Sequence, residues 1–243
     1  MAFPDTRFTL IQRVVVTGDA ASWERFVATY WRATCRFAMQ LGNLQMTDAE
    51  DVASKVFETL HRKSLLQSWL SAPNARFKTL LCTVIRNVVW NSVRSRDTTA
   101  KRSIQPFEQD VDPSAVVPQK ELNLFYDVWA EELLTAAVNS LMADYHREGK
   151  GDYFRVLHAR ICEDLPVKDI AADLGLKTTD VDNYFRHARQ RLTERLELLV
   201  RKDAASYTEL ADLDDEFTHE WHRLADILKQ QGGLEAAVRK AMK

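Results

Sequence analysis

Apolar residues return every three or four positions along most of this chain. Over 22–41, Trp23, Phe26, Val27, Tyr30, Trp31, Phe37, Ala38 and Leu41 share one helical face. Thr47, followed by Asp48, Ala49 and Glu50, reads as an N-cap with a capping-box glutamate. The helix it opens turns Val52, Val56, Phe57 and Leu60 inward. A break at Ser71-Ala72-Pro73-Asn74 precedes a third helix near 75–96, with Phe77, Leu80, Leu81, Val84, Ile85 and Val88 on its apolar side. Three amphipathic helices with short connections predict a small bundle. The pattern then lapses. Pro106, Pro113 and Pro118 interrupt scattered apolar residues, so 103–120 reads as an extended linker. From 121 the helical period resumes through Leu122, Phe125, Tyr126, Trp129, Leu133, Leu134, Ala137, Leu141 and Tyr145, ending at Gly149 and Gly151. A shorter helix follows from Asp152 to Ile161. The expected fold is all-α, two small helical domains (1–102 and 121–202) joined by the acidic linker, with a C-terminal extension over 203–243.

The segment 166–191 carries the most specific pattern. Pro166 suits a first helical turn, and Ile170, Ala171 and Leu174 make one apolar side. Gly175 stands where the chain must reverse, and Leu176 is an apolar plug. Thr178 or Thr179 would cap a second helix with Val181, Phe185 and Ala188 inward. This spacing predicts a helix-turn-helix whose second helix is presented to a DNA major groove. Its outward residues are Lys177, Thr178, Thr179, Asp182, Asn183, Arg186, His187, Arg189 and Gln190. Asparagine and glutamine pair with adenine edges and arginine with guanine, while lysine and threonine anchor phosphates. Asp180 and Asp182 repel phosphates and predict weak binding by this domain alone.

Charge sharpens the division. Residues 1–102 hold 15 basic and 8 acidic side chains, 121–165 hold four against nine, 166–202 eight against six, and 203–243 five against nine. A chain of net charge −2 is therefore built from blocks of alternating sign, which suggests several functional surfaces. Cys35, Cys82 and Cys162 are widely spaced and fit buried thiols in a reducing cytoplasm. With no signal peptide and no apolar run long enough to span a bilayer, a cytoplasmic location without a membrane span is expected.

Four stretches together resemble bacterial RNA polymerase sigma factors of the extracytoplasmic-function class. Leu10-Ile11-Gln12-Arg13 through Gly18-Asp19, with Trp23–Tyr30, is similar to that family's opening helix. Thr47 to Val52 with Val56-Phe57 resembles its acidic polymerase-docking motif. Arg76 to Leu81 with Val84 to Asn87 resembles its promoter-melting helix, and Leu165 to Leu192 its fourth conserved region. The resemblance implies that Asp48, Glu50 and Asp51 face the clamp helices of the core polymerase's largest subunit. It also implies a contact with the flap of the second-largest subunit. Arg76, Lys78, Arg86, Asn87, Trp90, Asn91 and Arg94 would meet the minus-ten promoter element, with Trp90 either stacking on DNA or buried. Arg96, Lys101 and Arg102 would neutralise phosphates of the same strand. Lys177, Thr178, Thr179, Asn183, Arg186, His187, Arg189 and Gln190 would meet the minus-thirty-five element. Ser54 and Lys55 stand where the family's docking motif has glutamine and an acid. A phosphoryl group on Ser54 would restore negative charge there, which makes a kinase, beside an anti-sigma factor, a candidate partner.

No glycine-rich phosphate loop, nucleophile–base pair or metal-ligand spacing is visible, so no catalysis and no cofactor is expected. In His219-Glu220-Trp221-His222 the histidines are three apart, not the four of a zinc-protease helix. Phe217, Trp221, Leu224 and Leu228 predict one more amphipathic helix, either regulatory or completing the second domain. The competing expectation is a stand-alone dimeric helix-turn-helix regulator that reads a palindrome without polymerase.

Overall fold

The computed structural model describes residues 9–62, 65–72, 75–98 and 117–242, the side chains of 95–98 excepted. All regular structure among them is α-helical. The chain divides into two compact units, Met1–Trp129 and Ala130–Lys243.

The first unit contains α1 (Leu10–Thr17), α2 (Ala20–Gly42), α3 (Met46–Arg62), α4 (Leu65–Leu70), α5 (Phe77–Thr98) and the opening turns of α6 (Gln119–Arg147). Its helix ends are written locally. The Thr9 hydroxyl accepts from the Gln12 backbone N–H at 3.1 Å, and the Gln12 side chain accepts from the Thr9 N–H at 2.8 Å. The Asp19 carboxylate then accepts from the N–H groups of Ala21 and Ser22, and hydrogen bonding from Ser22 holds its pKa below the usual value. Helix α3 starts one turn position earlier than expected. Ala49 N–H already donates to Gln45 O, so Thr47 lies inside the first turn and does not cap it.

Phe26 organises the core of this unit. Its ring meets Tyr30 at 5.3 Å and Phe57 and Phe77 each at 6.0 Å, joining α2, α3 and α5. The N-terminal part of α6 belongs here too. Phe125 sets its ring edge-on against Phe37 at 5.3 Å, and Val117, Tyr126, Val128 and Trp129 are buried. Residues 121–129, expected in the second domain, therefore pack with the first. The apolar face that begins α6 found its cover there, and sequence periodicity carries no information about which core a helix joins. The expected linker lies mostly outside the described residues, and its end, Gln119 and Lys120, is already helical.

The second unit comprises the rest of α6, α7 (Gly151–Ile161), α8 (Val167–Leu174), α9 (Thr178–Ala204), α10 (Leu213–Gln230) and α11 (Leu234–Ala241). Val181, Ala188, Leu192, Leu196, Val200 and Ala204 form the buried stripe of α9. Half-buried Arg191 and Arg195 pair with buried Asp144 of α6, and Arg191 also grips Glu148 with three contacts of 3.1 Å.

The extension is an integral part of this unit. Helix α10 packs against α9, and α11 packs against α7. Tyr207, Leu224, Ile227, Ala237 and Val238 are buried. Arg239 donates to Ile161 O at 2.5 Å and to the Asp164 carboxylate at 2.9 Å, and Lys240 pairs with Glu131. Asp214, Asp215 and Glu216 form the first turn of α10, where carboxylates complement the helix dipole.

Candidate functional site

Helices α8 and α9 form the expected reversal. Gly175 adopts φ +64°, and its N–H reaches the carbonyls of Ala171 and Ala172 while Leu176 N–H donates to Ala171 O at 2.9 Å. This Schellman-type end needs a left-handed residue, and glycine supplies it without a steric penalty. Val156, Ile170, Ala171 and Val181 make the buried centre, covered by Leu165, Val167, Leu174, Leu176, Tyr184 and Phe185. Pro166 occupies the N-cap and not the first turn, with its carbonyl accepting from Asp169 and Ile170.

Lys177, not a threonine, holds the cap position of α9. The Asp180 carboxylate, at the third helical position, accepts from the Lys177 N–H at 3.4 Å. Asp180 is thereby assigned a local task that offsets its poor fit to a phosphate surface. Thr178 and Thr179 are exposed inside the first turn, free to meet a ligand. Thr179, Asn183, Arg186 and Gln190 fall at i, i+4, i+7 and i+11, and all four are exposed. This is a continuous stripe on one side of the helix.

The later members of the set are engaged within the unit. His187 Nδ1 lies 3.0 Å from the Tyr145 hydroxyl, which burial holds protonated by pushing its pKa up to about 12. Arg189 lies 3.7 Å from Glu235 of α11, and Gln190 donates to Glu194 at 3.0 Å. Tyr184, beside the stripe, is stacked on Tyr153 at 3.9 Å and so belongs to the support.

On the first unit, α3 carries its acids at the N-terminal end, Asp48 in the first turn and Glu50 and Asp51 exposed beside it. Ser54 is exposed and donates to Glu50 O at 3.0 Å, and Lys55 is exposed one residue on. The outer side of α5 presents Asn87, Trp90, Asn91 and Arg94, and exposed Arg76 lies just before that helix. Trp90 is 36% exposed at the rim of a hollow of about 750 Å³ shared with Gln40, Lys120 and Asn123. Its indole is thus available to a ligand and is not core. Arg96 has no described side chain, and Lys101 and Arg102 lie outside the described residues.

One expected DNA contact, Lys78, is corrected, and a second, Arg86, is engaged within the fold. Lys78 is only 2% exposed, with its ammonium 3.9 Å from the centre of the Trp129 ring and 5.7 Å from that of Tyr126. Its neighbours Phe77, Leu80 and Leu81 are buried as well, and Tyr126 and Trp129 of α6 lie against its ammonium. Arg86 is half-buried and paired with Glu121 of α6 at 2.5 Å. Both cations serve the packing of α6 on α5, a contact that the linker-based division of the chain had hidden.

Among the described residues no cluster of histidine, cysteine or carboxylate side chains is arranged to hold a metal. Burial pushes the Cys35 and Cys82 thiols up to about 11 and about 12, which keeps both protonated and unreactive. No helix among the described residues is long and apolar enough to cross a membrane. No family model matches the chain, and no curated protein is significantly similar to it.

Proposed function

We propose that this chain is an RNA polymerase sigma factor of the extracytoplasmic-function type, which binds core polymerase and directs promoter recognition, strand opening and initiation. The observation that carries the reading is the α8–Gly175–α9 reversal with its exposed stripe Thr179–Asn183–Arg186–Gln190. A buried core holds that helix from behind, so its polar side chains meet DNA without any change of fold. Asn183 and Arg186 suit base edges, and Lys177, Thr178 and Thr179 suit phosphates at the minus-thirty-five element. The acids of α3 supply the complementary half. Asp48, Glu50 and Asp51 would steer the factor onto basic clamp helices and set its register. Asn87, Trp90, Asn91 and Arg94 would then hold the strand opened at the minus-ten element. Polymerisation belongs to the partner.

The test is co-elution with core polymerase and initiation on genomic fragments. The unaltered chain is expected to do both. The triple variant Asp48→Lys, Glu50→Lys, Asp51→Lys should bind polymerase at least about 100-fold more weakly, since like charges across an interface cost several kcal/mol. Its helical circular dichroism should be retained, because Glu50 and Asp51 are exposed and Asp48 is only half-buried in the first turn of α3. Undiminished binding would remove the docking assignment. An unaltered chain that binds DNA as a dimer and never associates with polymerase would replace the whole reading with a stand-alone regulator.

Ser54 supplies a separate check. A phosphoryl group there would stand beside Glu50 and Asp51, so Ser54→Ala is expected to lower promoter-dependent transcription in cells while leaving the protein folded. Equal transcript levels would dissociate Ser54 from control.

A further inference from the structure

One flank of α9 is braced by an aromatic cluster from two other helices. Tyr153 of α7 stacks on Tyr184 at 3.9 Å and meets the His187 ring nearly edge-on at 5.0 Å. Tyr184 and His187 stand three residues apart on α9, so one ring from α7 supports both. Tyr145 of α6, fully buried, lies 5.5 Å from Tyr153 and brings its hydroxyl to 3.0 Å from His187 Nδ1. The His187 imidazole is thus oriented from outside its own helix, although the residue is exposed.

The Tyr145 hydroxyl decides which nitrogen of that ring carries the proton. A buried O–H left without an acceptor is costly, and His187 Nδ1 is the acceptor it meets. The Arg191 guanidinium, 5.1 Å from the centre of the Tyr145 ring, can only donate. The nearby Glu148 carboxylate is taken up by Arg191 and Lys150. Tyr145 therefore donates to Nδ1, and the neutral imidazole holds its hydrogen on Nε2. Nε2 stands on the other side of the ring from that bond and has no hydrogen-bond partner among the described residues.

His187 follows Asn183 by one turn and Arg186 by one residue, at the edge of the exposed stripe and not at its centre. The centre of a helix lying in a groove meets base edges, and its border meets the sugar–phosphate wall. We propose that Tyr145 is a positioning residue that fixes the His187 proton on Nε2, where it is donated to a backbone phosphate of the duplex that α9 reads. A side chain already oriented loses little rotamer freedom on binding, and an N–H donated to an anion makes a stronger bond than one between neutral groups. Phosphates are alike along a duplex, so this contact sets the register of α9 and reads no base. The inference rests on the DNA-binding part of the proposed function, which the sigma-factor and stand-alone readings share.

Nitrogen-15 NMR of the full chain at about pH 8, with the His187 signals identified by their loss in His187→Gln, locates the proton. The unaltered chain should show the single Nε2–H form, and Tyr145→Phe an average of both tautomers. A proton on Nδ1, or an average in the unaltered chain, overturns the proposal. Fluorescence anisotropy then measures binding to a labelled duplex enriched from genomic fragments by the full chain, and to a duplex of scrambled sequence. His187→Ala should weaken both about tenfold, the scale of a hydrogen bond to a charged group, with the log–log salt slope unchanged because no cation leaves a phosphate. Tyr145→Phe should weaken both about threefold. His187→Gln, which carries an acceptor and a donor on one side chain, should recover binding to within about threefold of the parent. The His187 variants leave the core intact, so they decide the matter even where Tyr145→Phe lowers the melting temperature. Undiminished binding by His187→Ala, or a loss confined to the enriched duplex, overturns the phosphate contact. An unaltered chain that binds neither duplex overturns the DNA-binding reading itself, whatever the NMR result, and co-elution with polymerase judges the sigma-factor assignment separately.

Discussion

Replacing Lys78 with alanine lowers the unfolding free energy of the first unit by about 3 kcal/mol, the range of a large buried side chain deleted from a closed core. Lys78 is buried at the start of α5, as Phe77, Leu80 and Leu81 are, and its ammonium stands against the faces of Trp129 and Tyr126. A desolvated cation–π contact is worth about 2 kcal/mol, and the cavity left by the stem adds to that loss. Lys78→Met keeps most of the volume and should cost less, about 1 to 2 kcal/mol, because it opens no large cavity. Arg76→Ala, two residues earlier and exposed, should stay within about 0.5 kcal/mol of the parent. Urea unfolding followed by tryptophan fluorescence measures all three. Equal stability of the alanine variants at 76 and 78 would put the lysine back on the surface. Under the proposed function, a transcription defect in Lys78→Ala would report on folding, whereas one in Arg76→Ala would report on a contact.

Deleting 205–243 should leave the second unit insoluble or unfolded. Tyr207, Leu224 and Ile227 each contribute about 1.5 to 3 kcal/mol by burial, and together with Ala237 and Val238 they rival the 5–15 kcal/mol that a typical domain has in total. The same cut exposes the inner stripe of α9 where α10 had covered it and strips Arg201 of Asp214 and Glu131 of Lys240. A shorter deletion of 234–243 removes α11 alone. It should lower the melting temperature without abolishing the fold, since Leu224 and Ile227 remain. Soluble yield and thermal melting by circular dichroism decide both. A chain cut at 204 that melts like the parent would show the tail to be dispensable, and one that also transcribes more strongly would make it inhibitory.

These two expectations mark where reading along the chain stops being sufficient. The helix-turn-helix is legible because its signals are local. A glycine at a left-handed position and apolar residues at fixed offsets act within one short segment, and the structure places Ile170, Ala171, Gly175 and Val181 as their spacing requires. The acids of α3 and the outward stripe of α9 are legible for the same reason, since a helical period settles which residues share a side.

What the amino-acid order determined by itself is thus the helices, their inward faces and the reversal at Gly175, because hydrogen bonding, capping and periodicity are decided within a few residues. Tertiary packing alone decided which core each face entered. It buried Lys78 beneath Trp129, tied Arg86 to Glu121, engaged His187 with Tyr145, and made 203–243 part of the second unit. It also brought Lys55 and Asn91 to one groove. Each of these pairs is distant in sequence, and a cation at a helical position reads the same whether it meets solvent, a phosphate or an indole. Only the helix that arrives opposite it distinguishes them.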